Sequence, residues 1–174
     1  AASQGVFDRN RATLAGLKEG ERRLLATGTD VEKENGTILK ASSFRGPERR
    51  AHSFVISGDT AEQSIHPIGI PTVLVHEATF LEESHSKAEE HLHSTAMGAA
   101  RTAKACGAEH LVLTHFSARI RDASESLTEA KEEYEDAGIT YANDGDRLQI
   151  DVDGNVTFYR RNELGWKQHN ITHH

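Results

Sequence analysis

Acidic residues and histidines stand at the ends of three apolar segments that have the length of strands. Asp59, the pair His76-Glu77, and His115 occupy these positions. In α/β sheets, ligands collect beyond the carboxyl ends of the strands, and carboxylate and imidazole groups can bind metals or transfer protons. Each residue also has an ordinary interpretation, because Gly-Asp-Thr is typical of a turn and a histidine at a strand end is often structural. Their occurrence together in one short chain favours a site.

A histidine just before a predicted helix adds a second kind of chemistry. His93 precedes Ser94 and Thr95, either of which can cap the helix that follows. The free N–H groups and the dipole at a helix start favour an anion, so a histidine there can stabilise or protonate a phosphoryl oxygen. The alternative is a solvated histidine near a helix end. No Asp-His follows His91-Leu92-His93, so this segment is not the metal-binding His-x-His-x-Asp-His motif, and we expect His85 and His91 at the surface.

Short strands and helices must position these side chains. Three apolar runs predict strands at residues 53–57, 71–75 and 110–113, the first of them buried. Alanines at helical spacing predict a helix that ends at Gly107, and a second helix is predicted from about Ser126 to Ala137, ended by Gly138. Glu34-Asn35-Gly36 predicts a turn, and Asp153-Gly154 predicts a hairpin. The alternation of strands and helices indicates a layered α/β fold.

Composition excludes several classes of protein. The 20 basic and 27 acidic residues give a net charge of −7, so a nucleic-acid substrate would need a local basic patch. The single cysteine, Cys106, excludes an internal disulfide framework. No apolar run approaches the ~20 residues that span a bilayer, and no secretory signal pattern is visible, so we expect a cytoplasmic protein.

Four blocks of the sequence resemble ribonuclease Z, the zinc-dependent tRNA 3′-processing endonuclease of the metallo-β-lactamase superfamily. They occur in the family's order and with similar gaps, which makes the set far more specific than Gly-Asp-Thr alone. The blocks are Phe54–Thr60, Val75–Phe80, His93–Ala96, and Leu113–Ser117 with Arg119.

The resemblance implies roles for the matching residues. The aspartate that matches Asp59 bridges two zinc ions in the family, and the histidine that matches His115 ligates one of them. The histidine that matches His93 contacts the scissile phosphate and takes part in proton transfer. Glu77 falls in the catalytic site, where we expect it to orient a histidine, with a purely structural hydrogen bond as the alternative. The implied substrate is a tRNA precursor, whose 3′ trailer is removed by hydrolysis of a phosphodiester.

Part of the family's pattern is absent from this chain. The His-x-His-x-Asp-His motif, a further histidine ligand and the tRNA-binding arm do not occur in residues 1–58, where His52 is the only histidine. Asp59 and His115 alone cannot complete the four ligands of a zinc ion. The chain begins at Ala1, and its only methionine is Met97. We therefore expect residues 1–174 to form a single partial domain of α/β class, the C-terminal half of a metallo-β-lactamase αββα sandwich.

A half-sandwich exposes an apolar sheet face, so we expect this chain to need a partner. The expected partners are the missing N-terminal half of the domain and a second copy in a homodimer, and we expect the chain alone to be inactive. Two other functions stay open. One is another phosphodiesterase or an aryl-sulfatase-like hydrolase of the same superfamily, and the other is a truncated module that acts without metals.

Overall fold

The chain forms two compact units, Ala1–Ala51 and His52–His174. The computed structural model describes residues 5–47, 51–62, 65–135 and 137–171. The assignment of residues 1–174 to one partial domain stays a prediction.

The first unit is small and contains two short helices and two short strands. Its elements are α1 (Arg9–Leu14), α2 (Glu19–Ala26), β1 (Val31–Glu32) and β2 (Ile38–Leu39). The two strands pair in antiparallel fashion around the predicted turn at Glu34-Asn35-Gly36, which is thereby confirmed. The helices and strands pack around a small apolar core that includes Leu17, Leu25 and Phe44.

A parallel sheet forms the centre of the second unit. Its elements along the chain are β3 (Phe54–Ile56), β4 (Val73–Glu77), α3 (His85–Glu90), α4 (Ala96–Cys106), β5 (His110–Thr114), α5 (Ala123–Glu133) and β6 (Gly138–Tyr141). The strands lie in the order β3-β4-β5-β6, and every pair is parallel. All four carboxyl ends therefore point to one edge of the sheet, and the predicted α/β class is confirmed.

Helix α4 begins and ends where its sequence predicts. The hydroxyl of Thr95 accepts a hydrogen bond of 2.9 Å from the backbone N–H of Gly98, which caps the start. Gly107 adopts a left-handed conformation with φ of 68° and ends the helix. Ala99, Ala100 and Ala103 are fully buried. Their small side chains let the helix lie close to the core-facing side chains of the sheet.

A second sheet packs against the opposite face of the parallel sheet. It is antiparallel, in the order β7-β8-β9, with β7 at Arg147–Ile150, β8 at Val156–Asn162 and β9 at Gly165–His169. Buried Phe158 of β8 forms a common core with Val73 and Val112 of the parallel sheet. The predicted hairpin around Asp153-Gly154 is confirmed as the connection between β7 and β8.

Two details of the sequence prediction are wrong. The first predicted strand is not buried, because β3 lies at the edge of the parallel sheet and leaves the side chains of Phe54 and Ile56 exposed by 47% and 72%. Helix α5 begins at Ala123, since Asp122 caps it by accepting the N–H of Ser124 at 2.9 Å, and it ends at Glu133. Gly138 does not end this helix but begins β6. Asp136, within the predicted helix, lies outside the described residues.

Among the residues described, no helix is long and apolar enough to cross a membrane.

Candidate metal and proton-transfer site

The carboxyl ends of β3 and β5 bring two predicted metal ligands together. Gly58, with a positive φ of 61°, turns the chain after β3 and is followed by Asp59. His115 directly follows β5. Its Nε2 lies 3.5 Å from Oδ1 of Asp59. Both side chains are partly exposed, so they can reach a ligand in solvent.

His93 completes a group of three potential ligands. One ligand atom each from Asp59, His93 and His115 can be chosen so that all three atoms lie within 4.8 Å of one another. The imidazole rings of His93 and His115 stack, with their centroids 5.4 Å apart and an angle of 23° between the ring planes. The structure thus brings together three of the side chains singled out in the sequence.

Glu77, at the end of β4, lies beneath the histidines with only 1% of its side chain exposed. Its Oε1 accepts hydrogen bonds from Nδ1 of His93 at 2.7 Å and from the N–H of Thr60 at 3.1 Å. Its Oε2 accepts from the hydroxyl of Thr79 at 2.7 Å and from the Thr79 N–H at 3.1 Å. Both carboxylate oxygens are therefore satisfied.

The hydrogen bonds keep Glu77 ionised. Burial alone would raise the pKa of this carboxyl, but the bonds from Thr79, Thr60 and His93 outweigh burial and hold its pKa below the ordinary value of 4.5. An ionised carboxylate only accepts hydrogen bonds, so Nδ1 of His93 must carry a proton. The Nε2 atom of His93 is left to face the site.

Thr79 links Glu77 to the second histidine, His115, by hydrogen bonds. The Thr79 hydroxyl lies 2.9 Å from Nδ1 of His115. Because a hydroxyl has one proton and the Thr79 proton points to Glu77, Nδ1 of His115 must be the donor in this contact. Nε2 of His115 then has a free lone pair toward Asp59. Thr79 is a residue that sequence reasoning missed, although it lies within the second of the four blocks, Val75–Phe80. Its only signal in the sequence is a hydroxyl two positions after Glu77.

His115 has an uncommon backbone conformation. Its φ is 58°, in the left-handed region that few residues other than glycine adopt. The N–H of Ser117 donates a hydrogen bond to the Thr79 carbonyl at 3.1 Å. This bond, together with the contact between the Thr79 hydroxyl and Nδ1 of His115, holds the loop in the conformation that directs the His115 ring to the site.

The other histidines singled out in the sequence do not join the group. His76 is fully buried on β4, and its Nδ1 donates to the carbonyl of Glu77 at 2.7 Å. Burial lowers the pKa of His76, so the ring is neutral and structural. His91 is exposed, as expected, whereas the side chain of His85 is only 39% exposed and lies near Glu82 and Glu89.

A cavity of about 540 Å³ borders His93 on the side of helices α3 and α4. Arg101 lines it together with Glu62, Glu82 and Glu89. The guanidinium of Arg101 binds Glu62 at 2.6 Å and Glu82 at 3.1 Å, and these carboxylates raise its pKa. The arginine is thus fixed in the wall of the cavity by its own acidic neighbours.

The donor set fits zinc in type, and its number suffices for one catalytic ion but not for two. A carboxylate and two imidazoles are ordinary zinc ligands, and the Nδ1 atoms of both histidines are already fixed by hydrogen bonds, as metal-ligating imidazoles usually are. A catalytic zinc ion takes three protein ligands and a water molecule, so the three potential ligands that the described residues bring together could hold one ion but not two. The described part of the chain therefore provides only part of a site for two zinc ions.

The sequence is similar to curated ribonuclease Z proteins. It is 36% identical to ribonuclease Z of Haloferax volcanii over 157 residues, which cover 86% of this chain and 49% of that protein. It is 41% identical to ribonuclease Z of Halalkalibacterium halodurans over 107 residues, 60% of this chain and 35% of that protein. The Myxococcus xanthus protein is 37% identical over 84% of this chain and 48% of its own length. The chain thus spans half or less of the length of these relatives, and the resemblance to ribonuclease Z is confirmed.

Two solved structures match part of this chain. The metallo-beta-lactamase fold protein YhfI from Bacillus subtilis is 20% identical, with a TM-score of 0.45 over 61% of this chain and 39% of that one. Human tRNase Z, short form, is 31% identical, with a TM-score of 0.37 over 62% of this chain and 34% of that one. No family model matches the sequence.

Proposed function

We propose that this chain, a relative of ribonuclease Z, forms one half of a zinc-dependent endoribonuclease that removes 3′ trailers from tRNA precursors in the cytoplasm. The observation that carries the proposal is the convergence of Asp59, His93 and His115 at one edge of the sheet. The sequence similarity to ribonuclease Z supports the choice of substrate.

Asp59 and His115 are the proposed metal ligands. Two zinc ions would supply Lewis-acid stabilisation of the phosphodiester and activation of the attacking water. The protein's contribution is to present Oδ1 of Asp59 and Nε2 of His115, 3.5 Å apart, to the metal. Thr79 fixes the orientation of the His115 ring by its contact with Nδ1.

His93 is the proposed proton donor to the leaving oxygen. Glu77 holds Nδ1 of His93 at 2.7 Å, which directs Nε2 outward and stabilises the ring when it is positively charged. His93 also lies just before Thr95, the N-cap of α4, where the positive end of the helix dipole favours a phosphate group. Glu77 acts through His93 and Thr79, so its proposed role is positioning.

Among the described residues, the proposed site lacks the further ligands that two zinc ions would need. The described residues offer three potential ligands at the site, and the chain covers about half of its relatives' length. We propose that an N-terminal half carrying the His-x-His-x-Asp-His motif completes the site and the αββα sandwich. The exposed side chains of Phe54 and Ile56 on edge strand β3 support such a partner surface, and the complete enzyme is proposed to be a homodimer.

Reconstitution tests the proposal. The chain is mixed with the N-terminal half of the Haloferax volcanii relative and zinc, and cleavage of a tRNA precursor is measured. We expect cleavage only with both halves, loss of cleavage in Asp59→Ala and His115→Ala, and a strong decrease in His93→Ala. His91→Ala and Asp153→Asn serve as matched controls, because both residues are exposed and lie outside the site. Cleavage that survives Asp59→Ala would show that the metal assignment is wrong.

The same preparation distinguishes the other functions. Hydrolysis of a small phosphodiester or an aryl sulfate without cleavage of the tRNA precursor would indicate another hydrolase of the superfamily. A zinc content near zero per chain, with unchanged folding, would indicate a module that acts without metals.

A further inference from the structure

The three-stranded sheet has an inner face and an outer face of different chemistry. Alternate side chains of β7 and β8, such as Leu148 and Phe158, face the core shared with the parallel sheet. The intervening residues point away from that core. By register, Arg147 lies opposite Tyr159, and Arg161 lies opposite Trp166. We call the outward surface of the three-stranded sheet, which carries these four residues, the Arg–Trp face.

Two arginines lie against one tryptophan on this face. The guanidinium carbon of Arg147 is 3.9 Å from the centroid of the Trp166 ring, and that of Arg161 is 4.6 Å away. The indole N–H donates to the carbonyl of Gly145 at 2.9 Å, which fixes the ring against the sheet. Trp166 is nevertheless 46% exposed. The Trp166 ring is thus fixed in position while remaining exposed at the surface.

The face is basic although the chain is acidic. The chain has a net charge of −7, but the outward strand positions carry no acidic side chain. These positions are Arg147, Gln149, Thr157, Tyr159, Arg161, Trp166 and Gln168. The two arginines, three hydrogen-bonding side chains and two aromatic rings form the local basic patch that a nucleic-acid substrate would require.

We propose that the Arg–Trp face binds a single-stranded segment of RNA. Nucleic acid is favoured because guanidinium groups pair with phosphates, while aromatic rings and guanidinium planes stack on bases. A single strand is favoured because only unstacked bases can stack on an exposed aromatic ring or on a guanidinium plane. An acidic peptide would use the charge alone and would gain nothing from the exposed ring. The inference rests on the proposed function, since it identifies a second contact for the RNA substrate.

Trp166 is its own reporter, because it is the only tryptophan in the chain. The metal-free chain in EDTA is titrated with a single-stranded oligoribonucleotide of mixed sequence, and the tryptophan fluorescence is recorded. We expect saturable quenching. Arg147→Gln and Arg161→Gln should weaken binding, and each should reduce the slope of log affinity against log salt by about 0.7, one phosphate contact on a single strand. Arg9→Gln, an exposed arginine in the first unit, is the control with the same change in charge.

Substitution of the ring separates stacking from charge. Binding of fluorescein-labelled RNA, measured by anisotropy, should weaken by roughly 5- to 150-fold in Trp166→Ala and much less in Trp166→Phe. The urea midpoint of each variant identifies any loss of folding, and the arginine variants test the proposal without removing the ring. Absence of saturable quenching, equal binding of duplex RNA, equal competition by polyglutamate, or an equal effect of Arg9→Gln would overturn the proposal.

These outcomes are separate from those of the cleavage experiment. Binding in EDTA is measured without metal, so it does not depend on the proposed metal ligands Asp59 and His115. Quenching without cleavage in the reconstituted enzyme would contradict the proposed function alone. The opposite result would be an absence of tryptophan quenching together with tRNA cleavage that Arg161→Gln and Trp166→Ala leave unchanged. That result would contradict only the proposal that the Arg–Trp face binds RNA.

Discussion

Glu77 holds both histidines of the site, one directly and one through Thr79. Burying a carboxylate is costly unless hydrogen bonds replace the lost water. Here donors from His93, Thr60 and Thr79 do so and leave the pKa of Glu77 below its ordinary value. The same bonds decide which nitrogen of each ring carries a proton. One buried side chain therefore leaves the two Nε2 atoms available for the proposed roles in proton transfer and metal binding.

The link through Thr79 can be tested by removing a single hydroxyl. Thr79→Val keeps the shape of the side chain but removes the contact with Nδ1 of His115. We expect zinc affinity to fall about 10–100-fold, as is usual when a group that orients a ligating histidine is lost. Thr79→Ser keeps the hydroxyl and should bind zinc almost as the unmodified chain does. Calorimetric titration with zinc measures the effect, and equal affinities for the serine and valine variants would contradict it.

Helix α4, which follows His93, is the element whose boundaries were predicted best from the sequence. Its cap at Thr95 and its end at Gly107 are predictable because each is a local signal of a few residues. The start of α5 could not be predicted in this way, because both Asp122 and Ser126 can cap a helix and only packing decides between them. The low burial of β3 likewise depends on strand order, which the sequence does not encode locally.

The candidate site was predictable to a different extent at each position. Asp59, His93 and His115 follow from motifs at the ends of elements. Thr79 does not, because its contact with His115 spans 36 residues of sequence and depends on the turn after β4. The pairing of Arg161 with Trp166 also depends on strand register rather than on any motif.

Because α4 packs closely against the sheet, we expect a larger side chain to destabilise the protein on the buried side of the helix but not on its exposed side. Ala103 is fully buried, whereas Ala105 on the same helix is exposed. Ala103→Leu adds three carbon atoms to a filled space and should lower the free energy of unfolding by about 1–3 kcal/mol. Ala105→Leu should change it by less than about 0.5 kcal/mol. Urea unfolding measures both values, and equal effects would show that the helix does not pack closely on the sheet.

In the second unit, both faces of the parallel sheet are covered at its centre, but edge strand β3 is left exposed. Helices α4 and α5 pack on one face, and the three-stranded sheet covers Val73 and Val112 on the other. The outer side chains of β3 remain exposed on an edge strand, a position that favours association with another chain.

Exposure of β3 predicts that the isolated chain associates with itself. Ile56→Lys places a charge on the exposed apolar side of this edge strand and should shift sedimentation toward the monomer, because lysine on an edge strand opposes pairing. Ile38→Lys is the matched control, since Ile38 is an exposed isoleucine on a short strand of the first unit. Addition of the N-terminal half should dissociate the self-associated chain if both partners use the same face. A monodisperse monomer with a cooperative thermal transition would instead show that β3 needs no covering partner, and the proposed completion of the sandwich at this strand would be wrong.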